Sequence, residues 1–144
     1  MNNIIIDEIS IPENLTLFIL EDTGTFQRKI QLDLKELGFK GKVLLAATVK
    51  DALAGVLINK PGFILSDWNL PDGKGIEFLK MIRSDDSFKE IPFVMVTTMD
   101  EIDNILEAVE NGVDGYLVKP WDLKELGEKI AFAFNKRNKC TSLP

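Results

Sequence analysis

Four short apolar runs each end on a residue able to do chemistry. Glu21 and Asp22 follow LFIL, Asp67 follows FILS, Thr97 closes FVMV, and Lys119 follows YLV. Three carboxylates brought into one cleft repel and raise one another's pKa. A hard divalent cation resolves that conflict, because Mg2+ prefers oxygen ligands and takes a few carboxylates with a carbonyl and waters. One carboxylate can then remain a nucleophile, as in aspartyl-phosphate formation. A lysine and a threonine suit the equatorial oxygens of a transferred phosphoryl group. The set holds every part needed to accept a phosphate on a carboxylate.

Such a site exists only if the fold brings the four ends together. Apolar runs at 15–20, 43–47, 63–66, 93–97 and 116–118 lack polar alternation and read as strands buried on both faces. Windows of helical period lie between them. Phe26, Ile30, Leu34 and Leu37 form one stripe, closed by Gly38. Val49, Leu53, Val56 and Leu57 form the second, with Thr48 as N-cap and Pro61 as the stop. Ile76, Leu79 and Ile82 form the third. Ile102, Ile105, Leu106 and Val109 form the fourth, ending near Asn111-Gly112, and Leu123, Leu126, Ile130 and Phe134 the last, opened by Asp122. Five strands alternating with five helices imply an α/β fold, a doubly wound five-stranded parallel sheet of (βα)5 type. In a flavodoxin-like order 2-1-3-4-5, strands one, three, four and five are neighbours. Ligands of such sheets bind beyond the carboxyl ends of the strands, near the switch point.

Composition narrows the chemistry further. The 144 residues carry no histidine, which excludes Ser-His-Asp and Cys-His catalysis and imidazole metal sites. A single cysteine, Cys140, excludes an internal disulfide and a cysteine zinc site. A net charge of −6 disfavours nonspecific nucleic-acid binding. No run approaches the roughly 20 apolar residues of a membrane helix, and the start MNNIIIDEIS is a poor signal peptide, so a cytoplasmic protein is expected. Residues 1–14 read as an N-terminal extension, 15–137 as the domain and 138–144 as a frayed tail, with no room for an output domain. The stretch DWNLPDG is not an EF-hand loop, because Pro71 and Phe78 fall where ligands are needed. Pro71-Asp72-Gly73 reads as turn chemistry.

ILED (19–22), ILSDWNLPDG (64–73), FVMVTT (93–98) and GYLVKPW (115–121), in this order at successive strand ends, resemble the receiver domain of two-component response regulators. Single-domain CheY-type chemotaxis regulators are the nearest type. The resemblance implies a stand-alone signalling phosphoacceptor, not an enzyme, that assists its own phosphorylation and dephosphorylation. It implies Asp67 as phosphoacceptor, Mg2+ held by Glu21, Asp22, Asp67 and the Asn69 backbone carbonyl, Thr97 as switch hydroxyl, Lys119 as phosphate-binding lysine and Tyr116 as moving aromatic. It also implies a cis Lys119–Pro120 bond. A histidine kinase would donate the phosphoryl group, and a downstream target would dock on the fourth helix, fifth strand and fifth helix, around Tyr116 and Trp121. A monomer that binds neither nucleic acid nor membrane is expected. The chain departs from the family pattern at Glu21, where Asp is commoner, and at Thr98 and Met99, beside the switch threonine.

Each residue alone has a plainer reading: Glu21-Asp22 as a helix-capping pair, Thr97 as a strand threonine, Tyr116 as a strand aromatic, Lys119 as a loop lysine. Three other functions stay open. One is a phosphorelay shuttle, another a non-phosphorylated pseudo-receiver scaffold. The third is a flavodoxin-like cofactor binder or hydrolase, since fold does not fix function.

Overall fold

The computed structural model of the protein describes residues 2–98 and 103–139. Met99, Ile102, Cys140 and the end of the tail, all named above, lie outside them. The chain opens with an antiparallel hairpin, β1 (Asn3–Ile6) and β2 (Ile9–Pro12). Then follow β3 (Leu17–Leu20), α1 (Gly24–Leu37), β4 (Val43–Ala46), α2 (Val49–Asn59) and β5 (Phe63–Asp67). A small hairpin, β6 (Asn69–Leu70) and β7 (Gly73–Lys74), leads into α3 (Gly75–Ser84). The remainder is β8 (Phe93–Thr97), α4 (Ile105–Glu110), β9 (Gly115–Val118) and α5 (Leu123–Lys139). The central sheet is parallel throughout, in the order β4-β3-β5-β8-β9. Counted by its own five strands, that is 2-1-3-4-5, the expected doubly wound order.

The strands lack polar alternation because both faces are covered. Leu17 and Ile19 of β3 point to one side, with α1 and α5, while Phe18 and Leu20 point to the other, with α2 and α3. Every residue of β3, β5 and β8 is buried. The edge strands differ. β4 and β9 are only partly covered, so the expectation of burial on both faces fails there, because an edge strand has a neighbour on one side alone.

The helix faces also need correction. α2 buries Val49, Ala52 and Val56, and Leu57 is 59% exposed. Small Ala52 allows close approach to the sheet and turns the stripe away from Leu57. α4 is a helix of six residues that buries Ala108, leaving Leu106 69% exposed and Val109 also outside the core. The caps follow the sequence. Thr48 Oγ1 accepts from Asp51 N at 3.1 Å, and Gly38 ends α1 in the left-handed region. Asp122 and Glu125 cap one another's amides at the start of α5.

The N-terminal segment folds onto the domain as β1 and β2. Ile4, Ile6, Ile9 and Ile11 join the core between α1 and α5, and Ile6 meets α5 at Gly127, where no side chain intervenes. Its two-residue turn places Asp7 and Glu8 at positive φ, a cost that glycine would avoid. Asp-Glu is not a typical turn pair of this type, which hides the hairpin from a reading of residue types.

At the amino-terminal ends of β8 and β9, one buried carboxylate gathers distant elements. Asp114 Oδ2 accepts from Arg83 of α3 and from Phe93 N, both at 2.9 Å, and its Oδ1 accepts from Arg137 of α5 at 2.7 Å. Both arginines also donate to the Gly112 carbonyl. Burial and the charge of Arg137 push the Arg83 guanidinium down to about 10, so it stays charged at neutral pH. Removing one partner of a buried ion group leaves charge uncompensated, so Asp114→Ala should cost about 3–5 kcal/mol. Urea denaturation at pH 7 checks this, and a loss below about 1 kcal/mol would make the cluster a surface feature.

Candidate functional site

The carboxyl ends of β3, β5, β8 and β9 bring Glu21, Asp22, Asp67, Thr97 and Lys119 into one cleft. β5 is flanked by β3 and β8, with Leu20 level with Ser66 and Asp67 level with Val96. The acids that follow Leu20 therefore stand beside Asp67. Each of Glu21, Asp22 and Asp67 offers a carboxylate oxygen within 4.8 Å of the others. Asp22 is exposed, Asp67 is nearly covered and Glu21 is buried.

Glu21 is held at both oxygens. Its Oε2 accepts from Thr23 N at 3.0 Å and from the Thr23 hydroxyl at 2.8 Å. Its Oε1 lies 2.8 Å from Lys119 Nζ, a contact of charges without hydrogen-bond alignment. Lys119 Nζ also donates to Asp67 Oδ2 at 3.1 Å, and it sits 4.2 Å from the centre of the Phe26 ring. Trp68 N donates to Asp67 Oδ1 at 2.8 Å. The bond between Lys119 and Pro120 is cis.

Three carboxylates against one ammonium leave the cleft short of positive charge. Burial, with the Glu21 charge beside it, raises the Asp67 carboxyl to about 6, against the opposing pull of Lys119. The donor set is hard oxygen, and buried Glu21 Oε1 has no hydrogen bond of its own. These residues fit a divalent cation with oxygen preference.

The other expected residues are placed as follows. Thr97 is buried, and its hydroxyl donates to Thr98 O at a long 3.4 Å, while Thr98 itself is exposed. Asn69 lies in β6, with its side-chain oxygen accepting from Lys74 Nζ at 2.5 Å. Tyr116 is half-buried on the α2–α3 side, and Lys129 Nζ lies 5.0 Å from its ring centre. Trp121 requires a correction. It is buried on the α1–α5 side, stacked near Phe26 at 5.6 Å, and donates to Asp33 at 2.9 Å, so it does not belong to a surface around Tyr116.

Three neighbours were not legible as site residues. Phe26 looks like one more member of a core stripe, yet it covers Lys119. Thr23 carries no motif and anchors Glu21. Gly75, which opens α3, is needed for close packing: a Cβ there would collide with the Asp67 carbonyl, and Gly75 N bonds Trp68 O at 2.7 Å. A glycine after Gly73-Lys74 reads as loop composition until the return to β5 is seen.

Comparison with known proteins agrees with this fold. The response regulator receiver domain family matches residues 17–131, and the chain belongs to that family. The chain is 33% identical to chemotaxis protein CheY-3 of Vibrio cholerae over 132 residues, covering 90% of this chain and 98% of the relative. It is 35% identical to chemotaxis protein CheY of Pseudomonas aeruginosa over 127 residues, covering 86% and 99%. Among solved structures, the chemotaxis response regulator CheY4 of Vibrio cholerae superposes with a TM-score of 0.75 at 27% identity, covering 83% of this chain and 98% of that one. A response regulator from Chloroflexus aurantiacus gives 0.78 at 28%, covering 83% and 97%. The protein is thus a CheY-type receiver with a signalling role in a two-component system, and among its described residues no helix is long and apolar enough to cross a membrane.

The Asp67 environment has a measurable consequence. The folded protein keeps the Asp67 proton up to about pH 6, whereas an unfolded aspartate releases it near 3.8. Between those values the folded state binds the extra proton, so stability falls as pH rises through the window. In chelator, the protein should lose stability between those two values, and Asp67→Asn should not show this loss. At pH 7.5 the variant should be the more stable by on the order of 1–3 kcal/mol. Urea melts across the range check it, and parallel curves for the two proteins would place the titration elsewhere.

Proposed function

We propose that this receiver accepts a phosphoryl group on Asp67 from the phosphohistidine of a histidine kinase, with Mg2+, and thereby changes its affinity for a partner protein. The observation that carries the reading is the placement of Asp67 against Lys119, Glu21 and Asp22 in one cleft. Asp67 Oδ2 attacks phosphorus, the P–N bond to the kinase imidazole breaks as the P–O bond forms, and the imidazole leaves with the bonding pair. With a carboxyl raised only to about 6, Asp67 is largely ionised at neutral pH and able to attack. Glu21, Asp22, Asp67 and the Asn69 carbonyl would hold Mg2+, which supplies charge neutralisation for the incoming oxygens. Lys119, already on Asp67 Oδ2, donates to one phosphoryl oxygen, and the weakly engaged Thr97 hydroxyl turns to another. Attack of water on phosphorus later returns Asp67 to its free state.

The signal leaves by way of Thr97 and Tyr116. When Thr97 moves toward the phosphoryl group it vacates space that the half-buried Tyr116 ring can enter. Tyr116 adjoins an apolar surface on α4 and α5, where Leu106 and Val109 are exposed and Phe132 is 63% exposed. Val109, Tyr116 and Phe132 line one surface cavity, exposed apolar side chains grouped in this way mark contact surfaces, and we assign the downstream target to this face. The relatives named as chemotaxis proteins make chemotaxis the pathway of choice.

Two outcomes follow. With Mg2+ and acetyl phosphate, the wild type should gain one phosphoryl group by mass and Asp67→Asn none. Undiminished labelling of the variant would move the chemistry elsewhere. A wild type inert to Mg2+, acetyl phosphate and beryllofluoride would be a pseudo-receiver scaffold. In NMR, beryllofluoride should shift Thr97, Tyr116, Val109 and Phe132 more than the β1–β2 hairpin. Perturbation confined to α1 would remove α4, β9 and α5 as the output face.

A further inference from the structure

The hairpin between β5 and α3 is tied at its tip as well as at its base. Asp72 stands at the tip, exposed, and its two oxygens take different partners. Oδ1 accepts from Val49 N at 2.8 Å, and Oδ2 accepts from Lys50 N at 3.1 Å. These are the first two amides of α2, whose third is served by its own cap, Thr48. The bonds from Val49 and Lys50 hold the Asp72 carboxyl below the usual carboxylate range. A plain turn aspartate bonds amides of its own loop. This one reaches 22 and 23 residues along the chain.

The base of the same hairpin is the phosphoacceptor site. Asp67 closes β5, and Trp68 and Asn69 follow directly. Asn69 then pairs with Lys74, and Gly75 N returns to Trp68 O. The chain thus leaves the sheet at Asp67 and comes back at Gly75 as one closed unit. Leu70 packs on the α2–α3 core, and the bonds of Asp72 to α2 oppose a tilt of the unit about its base. A tilt there moves Asn69 relative to Glu21, Asp22 and Asp67.

We propose that Asp72 is a positioning residue for divalent-cation binding: by latching the tip of the hairpin to α2, it sets where the Asn69 main-chain carbonyl stands relative to the three carboxylates. This inference rests on the Mg2+ reading given above. The competing role is a second cap for α2 with no influence on the site. Thr48 separates the two, because its hydroxyl caps the same helix at Asp51 N and makes no hydrogen bond to the hairpin.

The experiment compares the full chain as wild type, Asp72→Ala, Asp72→Asn and Thr48→Ala. MgCl2 titration is followed by the NMR shift of the Trp68 indole N–H, and amide hydrogen exchange is measured in chelator. Asp72→Ala should weaken Mg2+ binding about tenfold, as loss of outer contacts does at metal sites. It should also speed exchange at Lys74 and Gly75. Asp72→Asn keeps one acceptor oxygen and should fall between. Thr48→Ala should speed exchange in the first turn of α2 and leave Mg2+ affinity unchanged. If Asp72→Ala binds Mg2+ as the wild type does, the inference fails alone. If the wild type ignores Mg2+, the reading of the site and this inference fall together.

Discussion

One ammonium between two carboxylates governs this molecule. Lys119 Nζ lies 2.8 Å from Glu21 and 3.1 Å from Asp67, and all three side chains are largely withdrawn from water. Bringing charges into a poorly hydrated cleft is costly unless they are paired. Here the pairing is incomplete, because Asp22 stands beside them and the acids outnumber the cation. Burial of Asp67, with the Glu21 charge beside it, raises its carboxyl to about 6 against the pull of Lys119. A site built this way favours whatever adds positive charge, and it favours a reaction that rearranges the charges already present.

The parallel sheet makes the arrangement possible. In a doubly wound sheet every strand ends on the same edge, so residues 21, 67, 97 and 119 meet although they are far apart in the chain. The opposite edge is organised for rigidity. There Asp114 is closed in by Arg83, Arg137 and the Phe93 amide, with no oxygen left facing water. One end of the domain has its ionic groups matched and hydrogen-bonded. The other leaves them unbalanced, with three carboxylates around one ammonium.

The proposed transmission route rests on packing. Thr97 ends a buried strand and makes a weak hydrogen bond of its own, so little holds its hydroxyl in place. Tyr116 lies on the neighbouring strand, level with Met95, and is half-buried, with Lys129 over its ring. Beyond it the six-residue α4 buries Ala108 and turns larger apolar side chains outward. A short helix with little buried surface is the element most easily shifted by a change beneath it.

Strand and helix order were legible in the sequence because continuous apolar runs and helical periods are local signals, and the parallel topology follows from their alternation. The convergence of Glu21, Asp22, Asp67, Thr97 and Lys119 was legible too, since a strand end is both a sequence position and a place in the sheet. What periodicity could not decide was which apolar residues face inward. Ala52 and Ala108 took core positions from Leu57 and Leu106 because small side chains let a helix approach the sheet. Trp121, expected on the partner surface with Tyr116, packs instead against Phe26, because the chain turns toward α1 after Pro120. The hairpin of residues 3–12, the cover of Phe26 over Lys119 and the reach of Asp72 to α2 depend on contacts between distant segments. Residue types specify what a side chain can bond, and only the tertiary structure decided which partner it met.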